Sequence, residues 1–136
     1  MKKKEVDFRG IVQKLKDCLS ERNDIVFAYL HGSSIQGEEF GDVDVAVFLD
    51  DSVRQLNDDV EYEISLSLQL EKALRLPVDV KILNHAPLGF RYHATQGSLL
   101  LTRDELVRED FLSRTWSDYF DFLPLSRIYQ KELTRA

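Results

Sequence analysis

Two aspartates, Asp42 and Asp44, stand one residue apart at the head of an apolar, β-branched run from Val43 to Leu49. In a strand, residues two apart point the same way. Both carboxylates are therefore expected on one face, with Val43, Val45, Val47 and Leu49 turned into a core. Neighbouring carboxylates repel unless a cation lies between them, and an all-oxygen site suits magnesium best. A third acid, Asp79, sits inside another apolar run, Val78-Asp79-Val80-Lys81-Ile82, where a bare carboxylate is costly without a partner. If the two runs are neighbouring strands, Asp42, Asp44 and Asp79 can hold two magnesium ions roughly 3.5–4 Å apart, which stabilises attacking and leaving oxygens in phosphoryl transfer. Upstream, Gly32-Ser33-Ser34 closes a separate apolar run. Glycine lets the backbone approach a ligand, and a serine opening a short helix offers N–H groups and a hydroxyl to an anion. Gly32, Ser33 and Ser34 are thus candidates to cradle nucleotide phosphates, although a serine there also reads as a plain helix cap.

Other polar residues carry weaker signals. His31 ends a buried run and is expected to be structural. Lys81 shares a face with Asp79 and reads either as a phosphate neutraliser or as a solvated strand-end lysine; Arg91 and His93 are less specific still. Asp50 and Asp51 mark a turn.

The elements that position these groups follow from periodicity. Residues 5–22 predict a helix, with Phe8, Ile11, Val12, Leu15 and Leu19 at helical spacing. Residues 25–30 and 43–49 predict buried strands. A short helix from Ser33 or Ser34 to about Gln36 and a loop over 37–41 lie between them. Residues 58–75 are ambiguous: Val60, Tyr62, Ile64, Leu66, Leu68 and Leu70 alternate with polar residues as in a strand, yet also form a wide helical stripe. Length and the acids at the front with bases at the back favour a helix. Residues 77–83 predict a third strand, 85–96 a helix with Pro87 in its first turn, and 98–102 a short edge strand. From Asp104 a long helix follows, with Leu106, Phe111, Leu112, Trp116, Tyr119, Phe120 and Leu123 as its apolar side and Pro124 expected to bend or interrupt it. The aromatic stripe of Trp116, Tyr119, Phe120 and Phe122 reads first as core, yet four large aromatics exceed what one helix face must bury, so a partner surface is the other reading.

The chain length of 136 residues fits one domain, expected over residues 1–136. Eighteen Lys and Arg against 24 Asp and Glu leave a net charge of −6, which argues against direct nucleic-acid binding. The lone Cys18 excludes an internal disulfide and suits a reducing compartment. There is no signal-peptide pattern and no apolar stretch near the ~20 residues of a membrane helix. The expectation is a cytoplasmic protein without a membrane partner.

Tyr29-Leu30-His31-Gly32-Ser33-Ser34 followed by Gly41-Asp42-Val43-Asp44-Val45-Ala46-Val47 resembles the signature of the DNA polymerase β-like nucleotidyltransferase superfamily: a Gly-Ser turn, a spacer, then Asp-x-Asp. With the short length and the Pro77-Val78-Asp79-Val80 run, the chain looks like the minimal, MNT-type nucleotidyltransferases that act as antitoxins of HEPN toxins. The likeness extends through Phe90-Arg91-Tyr92 and the aromatic C-terminal stretch. It departs in a short spacer, with Gln36 and Gly41 where members often carry Arg and Ser. The resemblance implies an α/β (α+β) nucleotidyltransferase fold, a mixed, roughly four-stranded sheet flanked by helices with a long C-terminal helix. It implies ATP as substrate with magnesium, and transfer of AMP to a tyrosine hydroxyl of the HEPN RNase, a type VII-like antitoxin mechanism. Gly32, Ser33 and Ser34 would then bind phosphate, Asp42 and Asp44 metal, and Asp79 both metal and the proton of the attacking hydroxyl. Two alternatives stand beside this reading. One is an antitoxin that neutralises its toxin by binding alone, disfavoured if three carboxylates are kept in costly positions. The other is an aminoglycoside-type small-molecule nucleotidyltransferase, which needs an added substrate domain.

Overall fold

The computed structural model describes residues 8–32, 42–54 and 58–134, with side chains through residue 124. The elements run α1 (Phe8–Ser20), β1 (Ile25–His31), β2 (Val43–Leu49), α2 (Asp59–Leu74), β3 (Val78–Ile82), α3 (Leu88–Ala94), β4 (Ser98–Thr102) and α4 (Glu105–Thr134). The four strands form one mixed sheet in the order β3-β2-β1-β4. β1 is antiparallel to β2 and β4, and β2 is parallel to β3. The expected edge strand at 98–102 is indeed one edge, and β3 is the other.

Three layers result. Ile11, Leu15 and Leu19 of α1 and Tyr62, Leu66, Leu70 and Leu74 of α2 pack on one sheet face, against Val43, Val45, Val47 and Leu49 among others. On the opposite face Phe27, Tyr29 and Ala46 meet Ala94 of α3, with Phe90 of α3 and Phe111 of α4 packed alongside. Arg108 of α4 donates to the Tyr29 hydroxyl at 2.6 Å, which ties the long helix to β1.

The residues that alternate like a strand do form a helix, and its rows explain the alternation. Stepping by four, Tyr62, Leu66, Leu70 and Leu74 enter the core. Glu63, Ser67 and Glu71 turn to the open edge of β3. There the Val78 N–H donates to Glu71 Oε2 (3.0 Å), the Val80 N–H to Ser67 Oγ (3.1 Å) and the Ile82 N–H to Glu63 Oε2 (2.9 Å). An edge strand otherwise presents unpaired N–H groups to any passing strand, and α2 occupies these three. Asp58 caps the helix by accepting from the Val60 N–H at 2.9 Å, and Arg75 ends it in the left-handed region.

Several expectations change. α1 is described from Phe8, which is exposed at its start, and Val12 is only half-buried. Pro87 caps α3 from outside rather than lying in its first turn, because its extended ψ of 151° is not helical. Pro124 does not interrupt α4; proline removes one N–H bond to the preceding turn but leaves the rest of the ladder. The aromatic stripe is not core, since Trp116, Phe120 and Phe122 are exposed, while Tyr119 stacks on Tyr92 at 3.9 Å between ring centroids. The predicted short helix through Gln36, together with Ser33, Ser34 and Gly41, lies outside the described residues. Among the described residues, no helix is long and apolar enough to cross a membrane.

A buried polar group fastens the α1–β1 turn to α2. Asp24, 7% exposed, accepts from the Tyr62 hydroxyl at 3.0 Å and lies 3.6 Å from Arg22 Nε. Arg22 in turn covers the Tyr62 ring at 4.9 Å. Asp24→Ala removes the acceptor for both and is expected to cost about 2–4 kcal/mol, measured by urea unfolding. Asp24→Asn keeps an acceptor oxygen and is expected to cost less. Equal losses for the two variants would show that packing, not hydrogen bonding, sets the cost.

Candidate active site

The parallel pairing of β2 with β3 places Asp44 opposite Asp79, in the same register that puts Val43 opposite Val78 and Val45 opposite Val80. The condition that the two acidic runs be neighbours is met. Val43, Val45, Val47 and Leu49 are buried on one face, as expected; on the other face Asp44 is half-buried, while Ala46 further along is covered by the second core. Asp42 lies just ahead of β2 and is exposed.

β1 completes the neighbourhood from the other side. His31, its last residue, pairs with Asp44 across the antiparallel ladder. The next residue, Gly32, has φ +87°, a backbone that side-chain-bearing residues rarely adopt. A Cβ at Gly32 would overlap Asp44 Oδ2 and come within 3.3 Å of its Cγ. The glycine thus lets the backbone just past β1 lie directly against the Asp44 carboxylate. This is a stronger constraint than the ligand approach anticipated from sequence.

Electrostatics at Asp44 reflect the crowding. Burial raises its carboxyl above the ordinary value; His31 opposes the rise, and Asp79 and then Asp42 add to it. Burial holds His31 below the usual imidazole value, with Asp44 and Asp79 pulling it back up. Two acids whose fields reach a third carboxyl are relieved by a cation between them, and an oxygen-only donor set fits magnesium. Among the described residues, however, no three His, Cys, Asp or Glu side chains stand close enough together to hold a metal ion. Asp42 and Asp79 are exposed, so burial fixes neither carboxylate in place.

Exposure also corrects an expectation. The apolar run around Asp79 predicts a costly position, but on the edge strand Asp79 faces solvent while Val78, Val80 and Ile82 are buried. The desolvation argument against a binding-only protein therefore falls away for Asp79 and for Asp42. Lys81 is likewise exposed on the Asp79 face.

His31 is the residue that sequence reasoning sets aside. It contacts the edge of Phe90, with ring centroids 5.4 Å apart at 87°, and it stands against Asp44. Only the strand register reveals this. Gly97 is similar: a Cβ there would meet the Leu30 carbonyl and His31 Cα, so the turn into β4 presses on the end of β1.

The family model described as Polymerase beta, Nucleotidyltransferase matches residues 13–106. The chain belongs to this nucleotidyltransferase family. The match runs from α1 into the first turn of α4 and so contains the Gly32 turn, Asp42, Asp44 and Asp79. Comparison with curated proteins finds no match. Solved structures share the fold of this nucleotidyltransferase. One is a tri-AMPylated Shewanella oneidensis HEPN toxin in complex with MNT antitoxin, matched at 23% identity and TM-score 0.70 over 93% of this chain and 98% of that one. A toxin–antitoxin with AMP-PNP matches at 24% identity and TM-score 0.71, over 90% and 98% of the two chains. The toxin–antitoxin MntA-HepT matches at 22% and 0.69, over 93% and 98%. At these identities the likeness is one of fold.

Proposed function

We propose that this nucleotidyltransferase, acting as a single domain over residues 1–136 in the cytoplasm, transfers AMP from ATP to a tyrosine hydroxyl of a HEPN-type RNase toxin and thereby silences it. The observation that carries the reading is the Asp44–Asp79 register, with Gly32 set directly against the Asp44 carboxylate. The similar folds solved with AMPylated toxin and with AMP-PNP support the donor and the acceptor.

In this reading Asp42, Asp44 and Asp79 hold magnesium, and Gly32, Ser33 and Ser34 receive the phosphates of ATP. Magnesium, when bound, supplies positive charge against the triphosphate oxygens. Asp79, exposed at the edge of the sheet, takes the proton from the attacking tyrosine hydroxyl. The tyrosine oxygen bonds to the α-phosphorus, the bond from that phosphorus to the bridging oxygen breaks, and pyrophosphate leaves. The exposed Trp116, Phe120 and Phe122 on α4 offer the aromatic anchors that protein interfaces favour.

The second reading, neutralisation by binding alone, is favoured by one observation: Asp42 and Asp79 are not held in costly positions. One experiment separates the two. The chain is incubated with its HEPN partner, ATP and Mg²⁺, and the partner is weighed intact. Addition of one or more AMP units supports transfer. An unlabelled but fully inhibited partner would sink the enzymatic reading and leave the binding one.

A further inference from the structure

Of the four rows along α2, one has no counterpart within the chain. Val60, Ile64 and Leu68 are 60%, 56% and 61% exposed and stand above one another at helical steps of four. Exposed aliphatics scattered singly are ordinary, but three in line mark a contact surface. A groove lined in part by Glu61, Ile64, Leu68 and Lys72 lies along one side of the row. A second groove separates it from β3 and reaches Asp79. Glu61 and Lys72 are exposed, and no ion pair ties down either one among the described residues.

We propose that this row packs against the same row of a second copy of the chain, with the two α2 helices antiparallel about a two-fold axis midway between Ile64 and Leu68. A surface used by both copies of a two-fold dimer must be complementary to itself, and this one is. The axis sets Ile64 of each copy on Leu68 of the other. Positions 61 and 72 are placed almost symmetrically about the same point, so Glu61 of each copy falls beside Lys72 of the other. The antiparallel arrangement brings each acidic helix start, Asp59 and Glu61, toward the negative end of the other helix dipole, and Lys72 stands between the two. In a parallel pairing the flank carrying Glu61 and Lys72 would lie on opposite sides of the seam in the two copies, and neither residue would meet its complement. One helix face is smaller than the 1,200–2,000 Å² of roughly standard stable interfaces, so association depends on concentration.

Sedimentation equilibrium of the full chain, from micromolar to millimolar concentration, tests this without reference to nucleotide transfer. The mass is expected to rise from 15.8 kDa toward twice that value. Ile64→Lys, at an exposed site that circular dichroism will show still folded, is expected to remain monomeric throughout. Glu61→Lys is expected to weaken association at least about tenfold by facing Lys72, and adding Lys72→Glu is expected to restore it. A wild-type chain that stays monomeric at every concentration, as it would if the row served a different protein, overturns the proposal. So does a dimer that survives Ile64→Lys, or a double charge reversal that restores nothing.

Discussion

Asp44→Asn is expected to abolish nucleotide transfer while leaving the fold more stable than wild type at neutral pH. The loss of activity is expected to be at least about 100-fold, the scale on which removing one charge-stabilising group acts in a preorganised site. It reads out as loss of AMP labelling on the proposed HEPN partner. The gain in stability follows from the direction of the Asp44 shift. Its folded carboxyl lies above the ordinary value of 3.8, chiefly through burial, with Asp79 and Asp42 contributing and His31 opposing. The folded state therefore binds the proton more tightly than the unfolded chain. Between the two values stability falls as pH rises, and above the folded value the full penalty persists. Asparagine escapes it. Thermal melts of the two proteins should diverge most near neutrality and converge as pH drops below 3.8. Retained labelling would remove Asp44 from the site. A variant less stable than wild type at pH 7 would mean that the carboxylate makes favourable contacts that outweigh its crowding.

Gly32→Ala is expected to cost about 2–5 kcal/mol. Two effects contribute. A left-handed backbone at φ +87° strains an alanine by roughly 1–2 kcal/mol, and forcing a methyl into occupied space adds about 1–3 kcal/mol. The occupied space is the Asp44 carboxylate itself, so relief of the overlap displaces the central acid of the proposed triad and activity is expected to fall with stability. Gly89 supplies the control. It lies in α3, where a methyl group added at its Cα would meet nothing within 4 Å, and Gly89→Ala is expected to be neutral or to stabilise by up to about 1 kcal/mol. Chemical denaturation of both variants checks the contrast; equal effects at the two glycines would refute the close approach at Gly32.

Much of this frame is legible in residue order. The strands at 25–31 and 43–49 stand out as short β-branched runs, because a central strand covered on both faces is apolar nearly throughout. Asp42, Asp44 and Asp79 stand out as acids inside or beside such runs. The helix at 59–74 is harder to read, since its sequence alternates with period two. The helix satisfies that pattern with separate rows for the core, the β3 edge, solvent and an apolar outer face, and no local rule distinguishes which apolar row is buried. The aromatic stripe of α4 misleads for the same reason: periodicity tells which residues share a face, not what that face meets.

The sequence by itself determined the types of the elements, the family signature and the identity of the acids, because strand and helix periods and turn chemistry are local properties. Tertiary structure alone decided that β3 runs parallel beside β2 with Asp79 opposite Asp44, that His31 closes on the same carboxylate, and that Asp79 lies at an exposed edge rather than in the core. Those facts depend on strand order and register, which arise from contacts between residues tens of positions apart and leave no trace in local spacing.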